Sequence, residues 1–127
     1  MFRLGRQPMD TISAAIDEEA VAALVDRFYA RVRADDRLGP IFERAVADWD
    51  AHLAVMRDFW SAALLGTQRY RGCVMSPHFG LPMALADLDR FLELFRPAAS
   101  ETLPPPAAAH ATAVSESVIR SLARAVG

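Results

Sequence analysis

The chain has 127 residues, of which 53% are hydrophobic and 24% charged, and it carries a net charge of −2. That length suits one packed domain of ordinary globular balance. All fourteen basic residues are arginine and none forms a block, which excludes the footprint of a nucleic-acid-binding surface. No apolar run approaches the roughly 18 residues that a membrane span needs.

Cys73 has no second cysteine to pair with, so an internal disulfide is excluded. The beginning, Met1 to Met9, lacks the apolar core of a signal peptide, and a cytoplasmic protein is expected. Residues 1–12 read as a loose leader, with Gly5 and Pro8, ahead of a single domain over residues 13–127.

Asp17, Glu18 and Glu19 place acids where a helix dipole favours them. Ala20, Leu24, Phe28 and Val32 follow at spacings of four, with Val21, Val25 and Tyr29 beside them. This pattern predicts an amphipathic helix ending near Asp35 and Asp36. Gly39-Pro40 is a breaker, so Ile41 and Phe42 are expected in a turn or short helical piece, buried against the core.

The next helix is predicted from an N-cap at Asp48 to a stop at Gly66. On it Trp49, His52, Met56, Phe59, Trp60 and Ala63 share one wide aromatic face. Its one polar member, His52, is either a core histidine satisfied by a hydrogen bond or a group aimed at something enclosed. Thr67 to Pro82 is irregular, yet it holds Tyr70, Val74, Met75, His78, Phe79 and Leu81. So much apolar mass in a loop either wraps a large internal object or simply closes the core.

Leu85, Leu88, Phe91, Leu92 and Phe95 mark a further helix, expected to stop near Phe95 because Pro97 follows. Ser100 to Pro106 reads as a linker-like turn. A last, alanine-rich helix carries Ala107, Ala111, Val114, Val118 and Leu122 in line, with Ile119 beside them. No strand is predicted, so the fold class is all-α.

Local signatures exclude several chemistries. There is no G-x-S-x-G, no G-x-G-x-x-G, no phosphate-binding P-loop and no C-x-x-C-H for thioether attachment of haem. His110 has no partner in sequence and reads as surface or structural. His52 and His78 sit in apolar surroundings, but no acidic or cysteine ligands stand beside them to complete a metal site. A planar cofactor that brings its own four nitrogens needs only one of them, and that cofactor is haem.

At this point an ordered set of pieces carries a resemblance. Phe28-Tyr29 with Val32-Arg33-Ala34-Asp35 comes first, then Leu38-Gly39-Pro40-Ile41-Phe42 and Asp48-Trp49 with His52-Leu53. Phe59-Trp60 with Leu64-Leu65, Tyr70 with Gly72, Met75 with His78 and Leu81, and Phe91-Leu92 with Leu94-Phe95 complete it. Each piece is weak alone; in this order, over residues 20 to 96, the set resembles the group III truncated globins. The Gly-Gly pairs that the other two groups carry between helices are missing, which fits group III.

The resemblance implies a truncated globin fold, a two-over-two helical sandwich around a b-type haem with its iron. It implies that His78 is the axial ligand to the metal, that Tyr29 and His52 stand on the distal side, and that Phe42 packs on the haem face. Met56, Phe59 and Trp60 are implied to line the same pocket, with Tyr70, Met75, Phe91 and Phe95 also around the cofactor. Phe91 is a departure, because the family usually has tryptophan there; phenylalanine has no N–H to donate. Arg69 and Arg71, near Tyr70, read either as partners of a haem propionate or as exposed arginines.

Three functions stay open on these grounds. One is reversible binding of oxygen, nitric oxide or another diatomic ligand at a five-coordinate iron held by His78. The second is an enzyme that oxidises nitric oxide or uses peroxide, which needs a separate reductase. The third is a haem-free helical module that binds a partner protein.

Overall fold

The computed structural model describes residues 16–70 and 84–126, with side chains to residue 123. Five helices and no strand lie among the described residues: α1 (Glu18–Ala34), α2 (Leu38–Ala45), α3 (Trp49–Leu65), α4 (Leu85–Thr102) and α5 (Pro105–Val126). None of them is long and apolar enough to cross a membrane. The all-α expectation holds.

Local chemistry sets most helix ends where expected. The Asp17 carboxylate accepts from the Ala20 N–H at 3.0 Å, and the Asp48 carboxylate from the Ala51 N–H at 3.1 Å. Each satisfies a first-turn donor that no helical carbonyl can reach. Gly66 closes α3 in the left-handed region at φ 73°, where a side chain would be strained. Gly-Pro does not prevent a helix after Asp35: α2 begins at Leu38, so Pro40 falls in its first turn, where a missing N–H is not needed.

Two boundaries differ from expectation. α4 does not stop near Phe95 but runs through Pro97 to Thr102, so Ser100 to Thr102 are helical and only Leu103 and Pro104 separate it from α5. A proline inside a helix costs about 3 kcal/mol. Here Pro97 is exposed, while Ala98 and Ala99 immediately after it are fully buried. Continuing the helix is what puts those two small residues in the core.

α1 packs on α3, and α4 packs on α5; α1 also lies against α4 and α3 against α5. This is the two-over-two arrangement that the resemblance implies. Aromatic rings fill the centre. Phe28 on α1 meets Phe91 and Phe95 on α4 edge to face at 4.8 and 5.2 Å, and Trp60 on α3 stacks on Phe95 at 5.2 Å. Phe95 is 1% exposed, and a side chain of that size in a packed core is worth about 3–5 kcal/mol against alanine.

Two ion pairs tie the end of α1 to the beginning of α4. Asp35 pairs with Arg90 at 2.7 Å and also accepts from the N–H groups of Arg37 and Leu38. Asp87 pairs with Arg37 and accepts from the Ala84 N–H at 2.9 Å. The two carboxylates are buried and the arginines reach them from the surface. Each links the α1–α2 corner to the first two turns of α4.

Candidate functional site

The site is built from one face each of α1, α3 and α4. Tyr29 is buried on α1, one turn before Val32 and Arg33. Its ring meets that of His52 on α3 edge to face, with centroids 5.0 Å apart and planes at 89°. Phe42 on α2 approaches Tyr29 at 6.3 Å and stacks at 6.3 Å on Phe91 of α4. Met56 and Trp60 are buried one and two turns along α3 from His52. Phe59 is half-buried and sits edge-on to Trp60 at 5.1 Å and to Tyr70 at 5.4 Å.

Between α1, α3, α4 and α5 lies a cavity of about 30 Å³ lined by Phe28, Tyr29, Met56, Phe59, Trp60, Phe91, Phe95, Ser115 and Val118. That is room for one or two water-sized particles. Six of its lining residues, Tyr29, Met56, Phe59, Trp60, Phe91 and Phe95, were expected at the site from the sequence. Phe28, Ser115 and Val118 were not. Phe28 belongs to the resembling set, and Val118 falls on the apolar line of α5, so both had a signal. Ser115 is 4% exposed, and its burial follows only from where α5 packs, because serine is ordinarily a surface residue.

Tyr29 carries the chemistry of this pocket. Its hydroxyl oxygen is buried and has no hydrogen-bond partner among the described residues. Burial pushes its ionisation far above the ordinary tyrosine range, so the phenol keeps its proton and can only be a neutral donor or acceptor. A buried hydroxyl left without a partner costs about 1–3 kcal/mol. A site that keeps one in an aromatic pocket has a place for an acceptor that arrives with a ligand.

His78 and Met75 lie outside the described residues, as do Cys73 and Arg71. Arg69 is exposed and stands 3.7 Å from Glu18 and 3.9 Å from Asp58. Its carboxylate neighbours fit the surface reading of that arginine. Among the described residues no group of three or more histidine, cysteine, aspartate or glutamate side chains stands together to hold a metal ion. A protonated phenol, an imidazole against it and aromatic walls are groups that fit a haem with a small bound ligand.

Comparison with known proteins agrees with this geometry. The family model of the bacterial-like globins matches residues 13–124. The group 3 truncated hemoglobin ctb of Campylobacter jejuni is 39% identical over 71 residues, which is 53% of this chain and 56% of that protein. The matched stretch thus spans about half the length of that relative. The crystal structure of the group III truncated hemoglobin from Campylobacter jejuni superposes with a TM-score of 0.80 at 26% identity, covering 88% of this chain and 92% of that one. With a two-over-two helical fold, Tyr29 and His52 in edge-to-face contact beside an aromatic pocket, and a family match over nearly its whole length, the chain belongs to the bacterial-like globins and is similar within them to the group III truncated hemoglobins.

Proposed function

We propose that this globin binds haem b and reversibly holds a diatomic ligand, oxygen or nitric oxide, in the pocket between α1, α3 and α4. The observation that carries the reading is the buried Tyr29 hydroxyl, protonated and without an internal partner, beside His52. His78 would hold the haem iron as its single protein ligand. Phe42, Met56, Phe59, Trp60, Phe91 and Phe95 would line the pocket, with Tyr70 and Met75 beside the cofactor. When bound, haem supplies the iron at which diatomic ligands coordinate.

The chain's own residues do the rest. Tyr29 presents a proton at Oη to a ligand atom that carries partial negative charge. Hydrogen bonds to such charged acceptors are worth about 1.5–3 kcal/mol, and the surrounding aromatic rings exclude competing water. His52 stands against the Tyr29 ring, where it either adds a second donor or controls access by swinging outward. Phe91 contributes volume and no N–H, so the donor work falls on Tyr29 and His52.

The test is an absorption spectrum of the protein produced with haem supplied. A strong Soret band that is lost or displaced by His78→Ala supports the reading. A colourless protein that takes up no haem overturns it in favour of a helical interaction module.

A further inference from the structure

Trp49 is a large aromatic residue to which the haem reading assigns no role. It opens α3 one turn before His52, and three helices hold it. Its indole N–H donates to the Glu43 carboxylate of α2 at 3.0 Å. The Arg33 guanidinium of α1 lies over its ring, 4.4 Å from the centroid. Arg33 and Glu43 complete the triangle at 3.4 Å. On its inner side the indole meets His52 edge to face at 5.6 Å and Tyr29 at 6.0 Å. The rings of Trp49, His52 and Tyr29 therefore pack edge to face in a triangle, each against the other two.

We propose that Trp49, clamped by Glu43 and Arg33, is the positioning residue that keeps His52 against Tyr29, and that release of this clamp opens the pocket to small neutral ligands. Trp49 and His52 are three residues apart on one helix and share a face. The indole lies edge to face against the imidazole, so a movement of the imidazole away from Tyr29 also changes its contact with the indole. With the indole fixed, His52 stays in; with the indole free, both rings can move together. Arg33 and Glu43 are 45% and 49% exposed, so each contact is weak and screened by salt. The inference rests on the proposed haem site.

The experiment uses the haem-loaded protein with carbon monoxide as the probe. The infrared C–O stretch reports the polarity of the distal pocket, and recombination after flash photolysis reports access. Glu43→Ala and Trp49→Phe should each shift the C–O band population towards the form lacking His52. Each should also speed recombination by about two- to fivefold, the range of one exposed polar contact. The two effects should not add in the double variant, since both release one indole. High salt should reproduce the change in the parent and leave Glu43→Ala unmoved. In a His52→Ala background Glu43→Ala should do nothing. If Glu43→Ala leaves bands and rate unchanged while the Soret band is normal, or acts equally without His52, the clamp is wrong and the haem reading stands. A protein that takes up no haem removes both.

Discussion

Tyr29 and His52, brought from separate helices, face each other edge to face at 5.0 Å, and the phenol hydroxyl of the pair is buried without a partner among the described residues. A group kept for a ligand in this way should trade stability for function. Tyr29→Phe should therefore leave the haem-free protein as stable as the parent, or more stable by up to about 1 kcal/mol, because an unsatisfied hydroxyl is removed and the ring is kept. In the haem-loaded protein the same substitution should speed oxygen release about ten- to hundredfold. Urea unfolding and stopped-flow release measure the two. A loss of stability without a change in release would make Tyr29 a core residue and nothing more.

Phe91 offers the reverse experiment. It is 9% exposed, packed between Phe28 at 4.8 Å and Phe42 at 6.3 Å, and it lines the cavity. Phe91→Trp adds an indole N–H to a pocket whose polar lining residues are Tyr29 and Ser115, with His52 against the Tyr29 ring. Oxygen release should slow by about tenfold, the value of one good hydrogen bond. The larger ring has only a small cavity to enter, so a stability loss of about 1–3 kcal/mol should accompany it. Unchanged release would show that a missing donor does not limit retention.

The ends of the helices were legible in the sequence where single residues decide them. Asp17, Asp48 and Gly66 each act on backbone groups within one turn, and the type of side chain suffices to read them. Pro97 misled because the local cost of proline was outweighed by the burial of Ala98 and Ala99, a tertiary effect that no local pattern carries. The cavity-lining Tyr29, Met56 and Trp60 were legible because helical spacing and an ordered resemblance both pointed at them. Ser115 was not, since nothing about a serine on an alanine-rich helix marks it as cavity lining. Nor was the triangle of Arg33, Glu43 and Trp49: all three come from different helices and two are exposed.

The crossed ion pairs between the α1–α2 corner and α4 should make the fold acid-sensitive. Burial pushes the Asp35 carboxyl up, but the Arg90 guanidinium and the N–H groups of Leu38 and Arg37 outweigh it and hold it below the usual range. The Ala84 N–H, against burial and together with Arg37, holds Asp87 low as well. A carboxyl lowered in the folded state contributes stability that is complete above its unfolded value, about 4, and is lost as pH falls through its folded value. Unfolding free energy should thus be flat near neutrality from these groups and should decline below about pH 4. Asp35→Ala should cost about 0.5–2 kcal/mol at neutral pH, the value of a lost cap. It should also flatten the acid limb in a urea series run between neutral and acid pH. An acid limb as steep as the parent's would assign the sensitivity to other carboxylates.

Gly39 sets how closely α2, and with it Phe42, approaches the end of α1. A Cβ at this position would stand 2.8 Å from the carbonyl oxygen of Arg33, which is backbone and cannot turn away as a side chain does. Its role is close approach rather than a left-handed conformation, since Gly66 is the one described glycine with positive φ. Gly39→Ala should force α2 outward by a few tenths of an ångström or more and cost about 1–3 kcal/mol, as overpacking does. The displacement acts on Phe42, which is 1% exposed and touches both Tyr29 and Phe91. The variant should therefore lose haem faster as well as unfold at lower urea. Transfer of haem to an excess of a tighter-binding apoprotein measures the first, and the urea midpoint measures the second. Gly66→Ala supplies the control: its Cβ meets nothing within 4 Å, so it should lower the midpoint through backbone strain alone and leave haem transfer at the parent rate.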